Sequence, residues 1–150
     1  MINGLLLHSV SYSGSWGQPT LTLDDFVDKA ADLGFDGVML MAKRPHLSVL
    51  DYGPRECARL RQRITDRGMQ KVCIAGYTNF TGDLAHPDIP NREFQIRHIA
   101  ELARVAHDLG AGTIRVFTVE HMRLTFMCLV LGHLQAEPLS PRCKMAVPWQ

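Results

Sequence analysis

The four cysteines, Cys57, Cys73, Cys128 and Cys143, contain no Cys-x-x-Cys pair, so no zinc knuckle or dithiol redox motif is encoded. No Gly-x-Gly-x-x-Gly or Walker sequence follows the first predicted strand, which weakens any nucleotide-binding reading. Long hydrophobic runs are missing too. The longest near the C-terminus, Leu124 to Leu131, falls far short of the ~20 residues that span a bilayer. Excess charge is absent: 16 Lys and Arg stand against 15 Asp and Glu, a formal charge of +1. That balance gives no electrostatic argument for nucleic acid or an anionic membrane, and neither is expected as a partner. No basic stretch precedes Leu5-Leu6-Leu7, and that run is too short for a signal peptide. Cys57 and Cys73 fall inside a predicted helix and strand, so they read as buried thiols of a reducing, cytoplasmic compartment.

What is present is material for a core. Apolar residues make up 46% and charged residues 21% of 150 residues, which suits one globular domain. A single grammar recurs along the chain. A helix runs out at Leu33-Gly34, a short loop follows, and Val38-Met39-Leu40-Met41-Ala42 continues without polar alternation to the polar tip Lys43-Arg44-Pro45-His46. The same order returns at Gly68, before Val72-Cys73-Ile74-Ala75-Gly76 and the tip Tyr77-Thr78-Asn79. It returns again at Gly110, before the strand Thr113 to Thr118. Continuous apolar strands are the mark of a parallel sheet covered by helices.

Leu5 to Val10 supplies the first strand, and a Ser- and Gly-rich loop centred on Trp16 follows it. Thr22 reads as the N-cap of the first helix, with Asp24 and Asp25 in its first turn. Pro54 suits the first turn of the second helix. There Cys57, Leu60 and Ile64 form the buried stripe, while Arg55, Arg59, Arg63 and Arg67 read as a solvated face and not as a nucleic-acid patch. Ile99, Leu102, Ala103 and Ala106 form the buried stripe of the third helix. Four strands alternating with three helices predict an α/β fold with a parallel sheet. A doubly wound sheet fits this order. So does a partial (β/α)8 TIM barrel of about four βα units with an irregular C-terminal tail, since a complete barrel needs about 250 residues.

The runs Leu6 to Tyr12, Gly37 to His46, Ala75 to Phe80 and Ile114 to Thr118 resemble the sugar-phosphate isomerase/epimerase family. That family has the xylose-isomerase-like TIM barrel, shared with inosose dehydratases and type 2 AP endonucleases. The resemblance covers residues 1–118 as the N-terminal half of such a barrel. Val119-Glu120-His121 departs from the pattern, and 119–150 reads as a non-matching tail, one helix over Leu124 to Leu131 and then disorder. The resemblance implies metal-assisted proton transfer next to a carbonyl of a sugar, sugar phosphate or inositol derivative. It also implies a divalent metal (Mn, Mg, Co or Zn), whose ligands in the family come from strands five to eight. Those strands are not matched here, so the chain reads as truncated or frame-shifted and inactive alone, with no catalytic or metal residue assigned.

Barrel sites lie at the C-terminal strand ends. The substrate-side candidates are therefore His8, Trp16, Lys43, Arg44, His46, Tyr77 and Asn79. His46 would hydrogen-bond a sugar hydroxyl while Lys43 and Arg44 hold an anionic group; a strand end facing water is the plain alternative. His8 reads equally as a satisfied core histidine or a substrate contact. Trp16 lines the sugar pocket if it follows the resembling enzymes, or else anchors its loop. Tyr77 and Asn79 donate to substrate, or cap the strand. Glu120 and His121 could join His46 around a cation, but adjacent strand residues point to opposite faces. A second reading is a non-catalytic half-barrel module. Its open sheet edges would invite a homodimer, or its strand tips would bind an anionic small molecule.

Overall fold

The computed structural model describes residues 4–78, 90–120 and 123–130. Helices α1 (Leu23–Asp32), α2 (Pro54–Asp66) and α3 (Pro90–Leu109) all end in the same way. Gly34, Gly68 and Gly110 take φ of 77°, 77° and 68°, a region that side chains with a Cβ avoid. The residue after each glycine donates back to the helix: Phe35 to Ala30 (3.1 Å), Met69 to Ile64 (3.2 Å) and Ala111 to Ala106 (2.8 Å). These are Schellman closures, which satisfy orphan carbonyls and turn the chain into the next strand. The helix starts follow the sequence as well. The Thr22 hydroxyl accepts the Asp25 amide at 3.2 Å, and Pro54 occupies the first turn of α2.

The strands are β1 (Leu6–His8), β2 (Gly37–Met41), β3 (Lys71–Ala75), β4 (Thr113–Glu120) and β5 (Arg123–Val130). They form one sheet in the order β1-β2-β3-β4-β5, with the first four parallel and β5 antiparallel to β4. Register aligns His8 with Met39, Met39 with Cys73, and Cys73 with Thr113. Alternate residues Val38, Leu40, Ile74, Ile114 and Val116 join Phe26, Val27, Leu60, Ile64, Leu102 and Val105 in a single buried cluster. One cluster shared by all three helices places them on one side of the sheet. A doubly wound sheet would carry helices on both faces. The fold is thus a partial (β/α)8 barrel, and the other sheet face, carrying His8 and Arg115, is free of α1, α2 and α3.

Two expectations change. The first strand is shorter than Leu5 to Val10, because the chain turns into a 3-10 helix over Ser9–Tyr12. The Ser9 hydroxyl, not its backbone, meets β2 by accepting the Met41 amide at 2.8 Å. Leu124 to Val130, expected in a helix, instead extends the sheet at the β4 edge as part of β5. An apolar run of eight residues has no periodicity to separate the two states, and its Thr, Phe and Val content suits a strand. The segment 135–150, expected to be mobile, lies outside the described residues.

The α2 arginines are less solvated than expected. Arg59 and Arg63 reach Asp24 and Asp28 of α1 at 2.5 and 2.6 Å, and Arg67 pairs with Asp32. Both series run at i, i+4 spacing, so two charged stripes face each other across the helix pair. These side chains remain 30–64% exposed, which holds each pair to ~0–1 kcal/mol. Among the described residues no helix is long and apolar enough to cross a membrane.

Candidate functional site

At the tips of two neighbouring strand pairs, a hydroxyl takes over where the ladder ends. Thr78 beyond β3 donates to the Phe117 carbonyl at 2.8 Å and accepts the Phe117 amide at 3.0 Å. Ser9 does the same work between β1 and β2. Its hydroxyl also lies 3.0 Å from His46 Nδ1, while His46 Nε2 lies 3.1 Å from the Leu21 carbonyl. A carbonyl only accepts, so Nε2 carries the proton. The neutral ring then accepts the Ser9 O–H at Nδ1. His46 is 2% exposed, and burial lowers its pKa, with the Leu21 carbonyl acting in the opposite direction. Both ring nitrogens are used and the ring stacks 6.3 Å from Phe26. The geometry makes His46 a strut behind the strand tips, where sequence reasoning offered a substrate contact. A histidine after a cis Arg44-Pro45 bond carries no sequence signal of which way its ring turns.

Lys43 and Tyr77 do come together. The Lys43 ammonium lies 4.5 Å from the Tyr77 ring centroid, a cation–π contact joining the β2 and β3 tips. They line an open groove of ≈ 560 Å³ with Ser48, Leu50 and His98. Arg44 borders the same groove but does not offer its charge freely. Its Nε and Nη2 fork onto Asp51 at 2.7 and 2.6 Å, and hydrogen bonding to that guanidinium lowers the Asp51 pKa. The anion-holding role expected of Arg44 is therefore taken up by a neighbouring carboxylate.

Trp16 is 77% exposed, on a loop braced by Gln18. The Gln18 amide donates to the Val10 carbonyl and its oxygen accepts the Trp16 amide, both at 2.7 Å. The indole is presented to solvent and is absent from the Lys43–Tyr77 groove. Asn79 lies outside the described residues. His8 ends β1 on the helix-free face. Its pKa is lowered to about 4, first by burial, then by the charges of Arg115 and His46.

Two residues in this region were not singled out from sequence. His98, from the second turn pair of α3, reaches the groove although no spacing linked it to a strand tip. Arg115 carried a readable signal: a charge in the middle of the apolar strand Thr113-Ile114-Arg115-Val116-Phe117. It stands on the helix-free face with its guanidinium 4.5 Å from the Phe117 ring.

The described donors of this face do not fit a divalent metal. Among the described residues no three His, Cys, Asp or Glu side chains gather around one point. The two histidines nearest the tips are unsuited: His46 has no free nitrogen, and His8 shares its surroundings with the Arg115 cation. His121 lies outside the described residues.

A family model described as the xylose isomerase-like TIM barrel matches residues 27–137, past residue 118 where the quoted motifs stop. A crystal structure of a D-psicose 3-epimerase, determined in the presence of D-fructose, superposes with a TM-score of 0.56 at 18% identity. The superposition covers 78% of this chain and 39% of that one, so this chain spans well under half of the epimerase's length. No curated protein matches the sequence.

Proposed function

Because the chain belongs to the xylose isomerase-like TIM barrel family, we propose that its strand tips form the sugar-binding side of an isomerase or epimerase site. The observation that carries this reading is the Lys43–Tyr77 contact, at the strand ends where barrels of this kind place their sites. A sugar offers hydroxyls and an apolar C–H face. The ammonium donates to the first, and the phenol ring packs against the second. His98 faces the same groove as a further hydrogen-bonding group. Interconversion of ketoses moves a proton at a carbon next to a carbonyl, which needs a positioned base and a means of holding the enediolate charge. Asp51, beside the groove, is engaged by Arg44 and makes a poor base. We assign binding and orientation to Lys43, Tyr77 and His98, and proton transfer and any divalent metal to residues beyond those described. The neighbour's D-fructose supports a ketose, or its phosphate, as the ligand to try first.

Calorimetric titration of D-fructose into the 150-residue chain tests this. Lys43→Met or Tyr77→Ala should weaken binding roughly tenfold, about 1.4 kcal/mol. Unchanged affinity in both variants, with wild-type binding intact, places the sugar elsewhere.

A second reading, a non-catalytic half-barrel that pairs with its own copy, is favoured by one observation. β1 stands at the sheet edge, with no strand beyond it among the described residues. Because β5 occupies the β4 edge, the edge strands among the described residues are β1 and β5, and such pairing would run through one or both of them. A light-scattering mass that stays monomeric over a wide concentration range rules it out.

A further inference from the structure

Register runs straight across the sheet from His8 of β1 to Met39 of β2, and from Met39 to Cys73 of β3. In-register neighbours on adjacent strands share a face, so an imidazole, a thioether and a thiol stand in one row on the helix-free side. Neighbours in such a row are about 4.8 Å apart, and the inner face of a barrel gathers the side chains of one layer together. Two donor atoms bonded to one metal ion at ~2.0–2.3 Å are at most about 4.5 Å from each other. An ion seated over Met39 therefore lies one strand spacing from both His8 and Cys73. Plain interior packing explains the two sulfurs, since Met and Cys are common core residues. It does not explain the imidazole. His8 Nε2 is buried and has no hydrogen-bond partner, whereas buried polar atoms are nearly always partnered. Cys73 is a thiol, 5% exposed, while His8 and Met39 are half-buried and leave the row open to entry from solvent.

We propose that His8 Nε2, Met39 Sδ and Cys73 Sγ form a site for a soft monovalent metal ion of the Cu(I) class. Thiolate and thioether sulfur select such ions over hard divalent ones, and imidazole serves as a ligand beside them. Binding takes Cys73 as the thiolate, and the thiol proton passes to solvent. The ion and the thiolate together carry no net charge, so Arg115 on the same face does not repel them as it would a divalent ion. His8, its pKa lowered to about 4, is neutral at neutral pH and offers a nitrogen lone pair. The row shares no residue with the Lys43–Tyr77 groove, so this site stands independently of the sugar-binding reading.

The experiment titrates the 150-residue chain, labelled at its methionine methyl carbons and histidine ring nitrogens, with Ag(I), a redox-inert stand-in for Cu(I). A saturating amount should move the Met39 methyl and His8 Nε2 resonances together and leave the Met69 methyl where it was. Competition with a chelator gives the affinity, read at those two residues, so silver taken up by other thiols of the chain does not enter it. Cys73→Ser should weaken binding at the Met39 methyl roughly tenfold or more, and Cys57→Ser on α2 should leave it unchanged. Met39→Leu should weaken binding at the His8 ring. That swap conserves side-chain volume and keeps the test decisive where Cys73→Ser does not fold. Zn(II) should move neither resonance saturably. Silver uptake that spares Met39 and His8, full affinity in Cys73→Ser, or Zn(II) binding at this row more tightly than Ag(I) overturns the proposal.

Discussion

Nδ1 of His46 lies 3.0 Å from Oγ of Ser9, 37 residues earlier in the chain. That one hydroxyl donates to the imidazole and accepts the Met41 amide at 2.8 Å. It ties the 3-10 turn after β1, the end of β2 and the loop beyond it into one unit. Ser9 is fully buried, so no water stands ready to replace it. Ser9→Ala leaves a buried N–H and a buried ring nitrogen without partners. It should cost ~1–3 kcal/mol, read as a lower urea midpoint with unchanged slope. Ser9→Thr should recover part of that loss if the hydroxyl is what matters. Equal midpoints for Ser9→Ala and wild type contradict the strut role of His46.

The two histidines also set a pH response. In His8 and His46 the folded pKa lies below the unfolded value, by burial first in each case. The unfolded chain therefore binds more protons in acid. Their contribution is fully present above the ordinary histidine value of 6.5 and, for His8, is lost as pH falls toward about 4. The urea midpoint should drop between about pH 7.5 and about pH 5, and His8→Gln should flatten that slope. A midpoint that rises on acidification through this window is incompatible with two buried neutral imidazoles.

Glycines at two sites should respond differently to alanine. A Cβ on Gly37 would meet the Lys71 carbonyl oxygen at 2.0 Å, backbone against backbone between β2 and β3. Gly34 has open space around it and only the strain of φ 77°. Gly37→Ala is expected to cost ~3 kcal/mol or more, and Gly34→Ala ~1 kcal/mol. Thermal midpoints in the opposite order would mean that β2 and β3 are not packed as described.

Purified alone, the 150-residue chain is expected to turn over no ketose, with or without added divalent metal. The family resemblance places the metal ligands on strands five to eight, and among the described residues the groove supplies donors and an aromatic face but no unengaged carboxylate. Product detected in a coupled assay with D-fructose and Mn²⁺ contradicts this and assigns the proton transfer to the chain itself.

Much of this architecture is written locally. The Leu-Gly pairs at Gly34 and Gly110 and the Arg-Gly at Gly68 specify helix ends, because only glycine takes the closing conformation without cost. Thr22 and Pro54 mark helix starts by equally local chemistry. The apolar run of β2 reports burial on both faces, and the sheet delivers it. What escapes a linear reading depends on direction and on distant partners. His46 and Lys43 are three residues apart at one strand tip, yet one ring turns inward to Ser9 while the ammonium turns out to Tyr77. Arg44 looks like a free cation until Asp51 is brought beside it. The arginines of α2 look solvated until α1 presents aspartates at the same spacing. His98 is separated from Lys43 by a whole βα unit, and only the packing of α3 beside the β2–α2 loop brings them to one groove.

The central claim is that a sugar binds at the β2 and β3 tips. Chemical-shift mapping with D-fructose on the labelled chain tests it most directly. The account predicts saturable shifts centred on Lys43, Tyr77 and His98, with the α1–α2 outer face unaffected. Shifts centred on Asp24, Asp28, Arg59 and Arg63 instead, or no saturable shift at any sugar concentration, contradict it.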